Sequence, residues 1–503
     1  MIKSWSYKRL FLFIVLFFSA YCLFLSWSFL FQNVDDAYIS FRYGRNLMLG
    51  NGLVYNPGEY VEGYTNFLWS VITAPFTIMP FADVAFFATT ICLILSILNI
   101  AFLAKIGRLF NLDFETFKVL LILVPSIFLA LDNSIAFWAI GGMEFPIYTL
   151  FILGIIYGYF RINENPKYLY ILIASLILCT LTRPEGNMIF VIFIFHILLF
   201  RKQVNNFRNS FIKIILAYTV FCLLYYGFKY IYYGQVIPNT FYAKGVTDIK
   251  MNLVLGTKYL ALCVGTRLYI FIFIAFIPFK QSLKRLKESF LISFVTIYII
   301  YIVAVGGDWM IANRFFVPIL PMLYVLSIIG FINFLIKMQK IYENMDKTIA
   351  LARKLIMAMS VLLFAVTLSL LEYKQLIISE DNAQYEMHWS MFGKWLKSNV
   401  PPETVIAVGP AGKIPYYSGL YTIDMWGLNN AYIAKTDSKR LMAGHKKFDF
   451  EYVLSLHPEF IIGYAGFTDN DIPSRYIKFN APNDADKCFD VVFRLKEEYR
   501  NQK

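Results

Sequence analysis

Histidine and cysteine are scarce in this 503-residue chain, with 4 and 6 copies. Charge is scarce as well: 16% of residues are Asp, Glu, Lys or Arg, against about 25% in ordinary globular proteins. Each shortage excludes a class of function. Cys22, Cys92, Cys179, Cys222 and Cys263 lie in or beside apolar runs, and Cys488 stands alone in the C-terminal tail. No CxxC pair exists to hold zinc or to cycle between thiol and disulfide, and the tail cannot carry an internal disulfide. His196, His388, His445 and His457 show no HxxxH or HExxH spacing, which disfavours a zinc hydrolase. A Walker A loop, a GxSxG nucleophile elbow, internal repeats and low-complexity segments are absent too.

Apolar residues fill the space, at 58%. Apolar stretches of roughly 16 to 24 residues recur up to about residue 371, and about 20 residues cross a hydrocarbon core of about 30 Å. The expected fold is a polytopic α-helical membrane protein. About eleven spans are expected, at 10–31, 82–104, 117–136, 145–160, 167–182, 186–200, 211–231, 257–278, 289–305, 315–336 and 355–371. The first is too long for a signal peptide and lacks a small-x-small cleavage site, so it reads as a retained anchor. Residues 67–79 are too short to span and read as an interfacial or re-entrant helix.

The net charge of +13 suggests nucleic acid until the basic residues are placed. They cluster in short loops between spans, and with a cytoplasmic N-terminus every cluster falls on the cytoplasmic side. The opposite face then receives the sequence-rich polar motifs: a first loop over 32–66, Gly141-Gly142-Met143-Glu144, Thr182-Arg183-Pro184-Glu185-Gly186, Ile237 through Lys244, and Gly306-Gly307-Asp308-Trp309 with Arg314. Composition shifts near residue 372, with turn signals at Pro401-Pro402, Gly409-Pro410 and Asn429-Asn430 between short apolar runs. The expected organisation is a membrane domain over 1–371 and an extracytoplasmic α/β domain over 372–503.

Asp35 and Asp36 close the first span. Carboxylates beside lipid are costly and read by default as functional. On a helix they point about 100° apart, so one can face a reaction while the other holds a cation, an arginine or a backbone N–H. The plain alternative is that they favour a helix N-terminus over Ala37–Leu49. Arg183 suits phosphate, or else pairs with Glu185. Glu144 marks a tight turn, with helix capping its expected role. Asn239, Tyr242 and Lys244 form a loop able to meet an anion. Asp308 and Arg314 are expected to pair, and Trp309 to anchor at the interface. In the tail, Tyr416, Tyr417 and Asp424 sit on aromatic loops that suit sugar stacking or simple packing.

A membrane enzyme with an extracytoplasmic site has no access to ATP or nucleotide sugars, so its activated donor must be lipid-borne. A polyprenyl-phosphate sugar meets this need, because its phosphate monoester leaving group, second pKa about 6, departs without a strong acid. One Asp as general base, with Arg or Lys or a divalent cation on the phosphate, then suffices.

At the motif level the resemblance is specific. The run Val34 through Tyr43, followed by Gly52 through Glu59 and Val61-Glu62-Gly63-Tyr64-Thr65-Asn66, resembles the first extracytoplasmic loop of the mycobacterial terminal β-(1→2) arabinofuranosyltransferases, integral-membrane glycosyltransferases of the GT-C type. The likeness continues, in order, through the Glu144, Arg183, Lys244 and Arg314 motifs to Ala411–Gly419 and Ile423–Leu428. It implies a polyprenyl-phosphate donor, a glycan acceptor, inversion at the anomeric carbon and a first-loop Asp as base. Asp35 is then favoured as base and Asp36 as orienter or cation ligand. Arg183, Lys244 and Arg314 are the phosphate candidates, in that order. Tyr38, Arg42, Glu62, Tyr64, Asn66, Glu144, Glu185, Asn239, Tyr242, Asp308, Trp309, Tyr416, Tyr417 and Asp424 are the substrate-binding candidates. No cofactor is required by this chemistry, and nucleic acid is not an expected partner. The expected location is a bacterial plasma membrane. The competing readings are a lipid-linked sugar flippase, which needs polar groups near the bilayer midplane, and a non-catalytic envelope assembly protein.

Overall fold

The computed structural model describes residues 12, 14–21, 33–110, 115–244, 249–310, 312–341, 380–436, 447–463, 472–479 and 492–500. The expected span 355–371 lies outside the described residues, and 10–31 is described only at 12 and 14–21, where it is helical.

Helix α1 (Asp35–Met48) leads into a glycine-punctuated loop, and α2 (Phe67–Thr73) with a 3-10 turn over Ala74–Ile78 returns from it. This apolar helix is short, as the reading of 67–79 expected. There follow α3 (Val84–Gly107), α4 (Glu115–Leu131), α5 (Asn133–Ile140), α6 (Phe145–Phe160), α7 (Pro166–Thr182), α8 (Gly186–Leu199), α9 (Phe207–Tyr233), α10 (Asn239–Ala243), α11 (Ile249–Thr266), α12 (Leu268–Ile274), α13 (Phe279–Ser282), α14 (Leu286–Val305) and α15 (Leu320–Ile341), the last entered through a 3-10 turn over Arg314–Ile319.

The protein is a multi-pass membrane protein, but eleven uniform spans are not what the described residues show. Four helices are long and apolar enough to cross a bilayer, or six if each of two bent pairs counts as one span. The bent pairs are α4–α5, at 61°, and α11–α12, at 89°. Helices α6, α7 and α8 hold 16, 17 and 14 residues. At 1.5 Å per residue they fall short of about 30 Å. Their ends are set by turn chemistry rather than by loss of apolarity. Pro166 opens α7 behind an Asn165 side chain that accepts from Lys167 N–H, while Arg183-Pro184-Glu185 separates α7 from α8. Helix α15 is buried almost throughout, whereas α9 presents most of its surface outward.

The C-terminal part begins with α16 (Glu380–Asn399), followed by β1 (Val405–Val408), α17 (Lys413–Ser418), β2 (Tyr421–Asp424), α18 (Phe450–Ser455), β3 (Phe460–Ile462), β4 (Tyr476–Lys478), β5 (Val492–Leu495) and α19 (Glu497–Arg500). The sheet order is β2-β1-β3-β5-β4. β1 pairs in parallel with β2 (Val405 opposite Tyr421) and with β3 (Ile406 opposite Phe460), while β5 runs antiparallel to both β3 and β4. Buried Ile406, Val408, Phe460 and Ile462 share one apolar core with Tyr43, Tyr55 and Tyr64 of the first loop. The sheet and that loop therefore fold against each other.

Candidate active site

Helix α1 starts after Val34, whose backbone is extended, and carries both carboxylates in its first turn, where the positive end of the helix favours them. The 100° rotation between neighbours sends them apart. Asp35 turns to the C-terminal part: its two carboxylate oxygens accept the N–H groups of Gly412 at 3.0 Å and Lys413 at 2.7 Å. Glycine is needed there because a Cβ at Gly412 would overlap the Asp35 carbonyl. Asp36 turns the other way, into a cavity of about 680 Å³. One of its oxygens meets Arg314 Nη1 at 3.3 Å, and its side chain is 24% exposed.

The cavity wall carries five carboxylates (Asp36, Glu62, Glu144, Glu185, Asp308) and four cations (Arg183, Lys229, Lys244, Arg314). Arg314 holds Asp308 through two bonds, at 2.6 and 2.8 Å, besides its contact with Asp36. Arg183 is fully engaged, donating to Glu144 through Nη1 and to Glu185 at 2.9 and 3.2 Å. Lys229 meets Glu62 at 2.9 Å. Lys244 differs. Among the described residues its ammonium has no ion-pair or hydrogen-bond partner. Lys244 is an exposed residue of the cavity lining. Burial pushes the Glu62 carboxyl up to about 7, partly offset by Lys229. Burial would also raise Glu185, but Arg183 outweighs it and holds Glu185 below the usual glutamate range.

Of the residues expected from sequence, Asp36, Glu62, Tyr64, Asn66, Glu144, Arg183, Glu185, Lys244, Asp308 and Arg314 share this cavity. The expected pairs Arg183 with Glu185 and Asp308 with Arg314 are both present. Glu144 does not cap its helix through its side chain; it binds Arg183 and accepts from Asn66 Nδ2 at 2.8 Å instead. Asp35, Tyr38, Arg42, Asn239, Tyr242, Trp309, Tyr416, Tyr417 and Asp424 lie outside the cavity lining. Several of them join the first loop to the C-terminal part. Arg42 donates to the carbonyls of Tyr55 (2.7 Å), Leu420 (2.7 Å) and Pro415 and to Asn56 Oδ1 (3.0 Å). Asn239 Nδ2 donates to the carbonyls of Gly427 and Leu428, at 2.9 and 3.0 Å. Tyr38 and Tyr417 share a hydroxyl contact at 3.1 Å, Tyr416 packs edge-on to Tyr38, and Tyr242 lies beneath the Lys435 ammonium. Asp424 accepts from Trp426 N–H, Asn429 N–H and Asn429 Nδ2 and so holds its own turn. Trp309 is 44% exposed.

Sequence reasoning missed Lys229, with Tyr225 and Tyr226 beside it in the cavity wall. A lysine inside an apolar run was the available signal, since ionisable residues in spans are functional candidates by default. Also missed were Asp132 and Arg267, a buried ion pair at 2.9 Å. Among the described residues no group of three or more His, Cys, Asp or Glu side chains converges as a metal site. Asp35 and Asp36 diverge, so they do not form a two-carboxylate cation site with each other.

The cavity therefore combines one reachable carboxylate, one uncommitted ammonium and fixed ion pairs around them. It can take a proton from a hydroxyl and hold an anionic group.

Known structures with this architecture include ArnT from Cupriavidus metallidurans bound to undecaprenyl phosphate. The match has a TM-score of 0.59 at 10% identity and covers 90% of this chain and 92% of that one. The oligosaccharyltransferase AglB from Archaeoglobus fulgidus, in complex with an inhibitory peptide and a dolichol-phosphate, matches with a TM-score of 0.61 at 11% identity, over 92% of this chain and 70% of that one. The apo form of the Archaeoglobus fulgidus oligosaccharyltransferase gives 0.60 at 12% identity, over 84% and 65%. The fold is of the GT-C type. Residues 375–497 match a family model described as a domain of unknown function (DUF8728). No curated protein is significantly similar to the chain in sequence.

Proposed function

We propose that this chain is an inverting glycosyltransferase that moves a sugar from a polyprenyl-phosphate donor to an envelope or surface glycan, on the extracytoplasmic side of a bacterial plasma membrane. The observation that carries the reading is the shared cavity of Asp36 and Lys244, one reachable carboxylate beside one unengaged cation. In this reading Asp36 takes the proton of the acceptor hydroxyl as it attacks the anomeric carbon. Lys244 meets the phosphate that leaves, with Arg314 next to it. The roles of the two aspartates are the reverse of the sequence expectation. Asp35 is held by two backbone N–H groups and orients the helix start, while Asp36 faces the reactants. Lys244 likewise replaces Arg183 as the first phosphate contact, because the Arg183 Nε, Nη1 and Nη2 groups already donate to the Glu144 and Glu185 carboxylates.

Two structural relatives, ArnT and AglB, carry lipid phosphates in their own structures, which supports a lipid-phosphate donor here. The first-loop resemblance to terminal β-(1→2) arabinofuranosyltransferases makes a pentofuranosyl donor the first to try, ahead of hexosyl donors. The test supplies membranes containing the chain with radiolabelled polyprenyl-phosphate sugars and measures label in glycan. Label moved across the bilayer without a new glycosidic bond would instead indicate a flippase, and no transfer with any donor would indicate an assembly role.

A further inference from the structure

Asp132 and Arg267 are not among the residues that line the cavity, yet each occupies a helix break. Asp132 separates α4 from α5, where the chain turns by 61°, and Arg267 separates α11 from α12, where it turns by 89°. Their side chains are each 2% exposed. Arg267 Nε and Nη2 reach the two Asp132 oxygens at 2.9 and 3.0 Å, and Nη2 also donates to Ser134 Oγ at 2.8 Å. Asp132 accepts the Tyr324 hydroxyl at 2.5 Å and the N–H groups of Ser134 and Ile135 that open α5. A neutral Asn or Ser would cap that helix equally well. An ion pair among apolar helices is costly to bury and gains little net stability, so its presence asks for a further role.

Both broken helices lead to the same place. From Asp132, α5 runs to Ile140 and Gly141, whose carbonyls accept from Asn33 Nδ2 at 2.9 Å and Val34 N–H at 3.1 Å, immediately before the acidic pair. From Arg267, α11 runs back to Tyr259, whose hydroxyl accepts the Phe315 N–H at 3.2 Å, immediately after Arg314. A cross-tie from Trp138 Nε1 to the Ala312 carbonyl, at 3.0 Å, joins the two arms. The arms thus close a ring, with Asp132 and Arg267 at one end and Asp36 and Arg314 at the other.

We propose that the Asp132–Arg267 pair is a positioning element that sets where Asp36 stands relative to Arg314. The catalytic part of this inference rests on the proposed glycosyl transfer; the geometric part does not. Arg267→Gln removes the pair, and Arg267→Lys keeps one charged contact. Amide hydrogen exchange on the full-length protein in detergent reads the geometry without any substrate. In Arg267→Gln the amides of Val34 and Phe315 are expected to exchange faster by about tenfold or more, while β1 and β3 exchange as in the wild type. Arg267→Lys is expected to restore most of the protection. In the transfer assay kcat falls and the donor KM stays constant. Faster exchange throughout the chain, or unchanged exchange at Val34 and Phe315, overturns the positioning role. If the wild type transfers no sugar but the local exchange pattern is present, the positioning stands and the reaction assignment fails. If the wild type transfers sugar and the pattern is missing, the reaction stands and the positioning fails.

Discussion

Neighbouring residues on one helix turn carry opposite assignments here, and each has its own consequence. Asp36→Asn keeps the shape but removes the proton acceptor, so kcat is expected to fall by roughly 10²- to 10⁴-fold, the usual contribution of a positioned base. Lys244→Gln removes a cation that has no ion-pair or hydrogen-bond partner among the described residues. The donor KM is expected to rise by about tenfold or more, since a hydrogen bond to a charged group contributes about 1.5–3 kcal/mol; initial rates over a donor concentration series give the value. That these residues are candidates was legible in the first-loop and loop motifs, because polar groups beside long apolar runs need a reason. Their roles were not legible. The partner that fixes Asp35 is Gly412, 377 positions away, and of the two carboxylates on Arg183 only the neighbouring Glu185 was readable, whereas Glu144 comes from another loop. Local sequence says which residues are able to ionise, but their mutual geometry is a property of the packed chain.

At the scale of elements, the clasp between the first loop and the C-terminal sheet makes two predictions. Arg42 is 5% exposed and serves three carbonyls and one side-chain amide. Arg42→Ala leaves these acceptors buried and unserved, at about 1–3 kcal/mol for each one not rescued by water. A clear fall in the thermal midpoint of the detergent-solubilised chain is expected. Asp424 supplies the second. Burial pushes its carboxyl up to about 6 from an ordinary value of 3.8. The folded chain therefore binds this proton more tightly than the unfolded one, so stability is lost as pH rises from about 4 to about 6 and stays level above. The loss attributable to Asp424 is at most about 3 kcal/mol. Subtracting the Asp424→Asn midpoint from the wild-type midpoint at each pH isolates it: the difference is expected to decline across that window and then stay flat. The existence of the helices was readable from the length of their apolar runs. The breaks at Asp132 and Arg267 were not, because each interruption is a single polar residue whose cost is met by a partner on another helix.

For the whole molecule, the membrane helices and the first loop line one cavity, and the C-terminal sheet packs on that loop. The break between α7 and α8 supplies Arg183, the 3-10 turn before α15 supplies Arg314, the first turn of α1 supplies Asp36, and the sheet domain holds Asp35 and so fixes which way α1 faces. The measurement that tests this most directly is sugar transfer from a labelled polyprenyl-phosphate donor by membranes containing wild-type, Asp36→Asn or Asp35→Asn protein at matched, folded amounts. Transfer reduced by about 10²-fold or more in Asp36→Asn and partly retained in Asp35→Asn is the expected result. Full activity in Asp36→Asn would contradict the account.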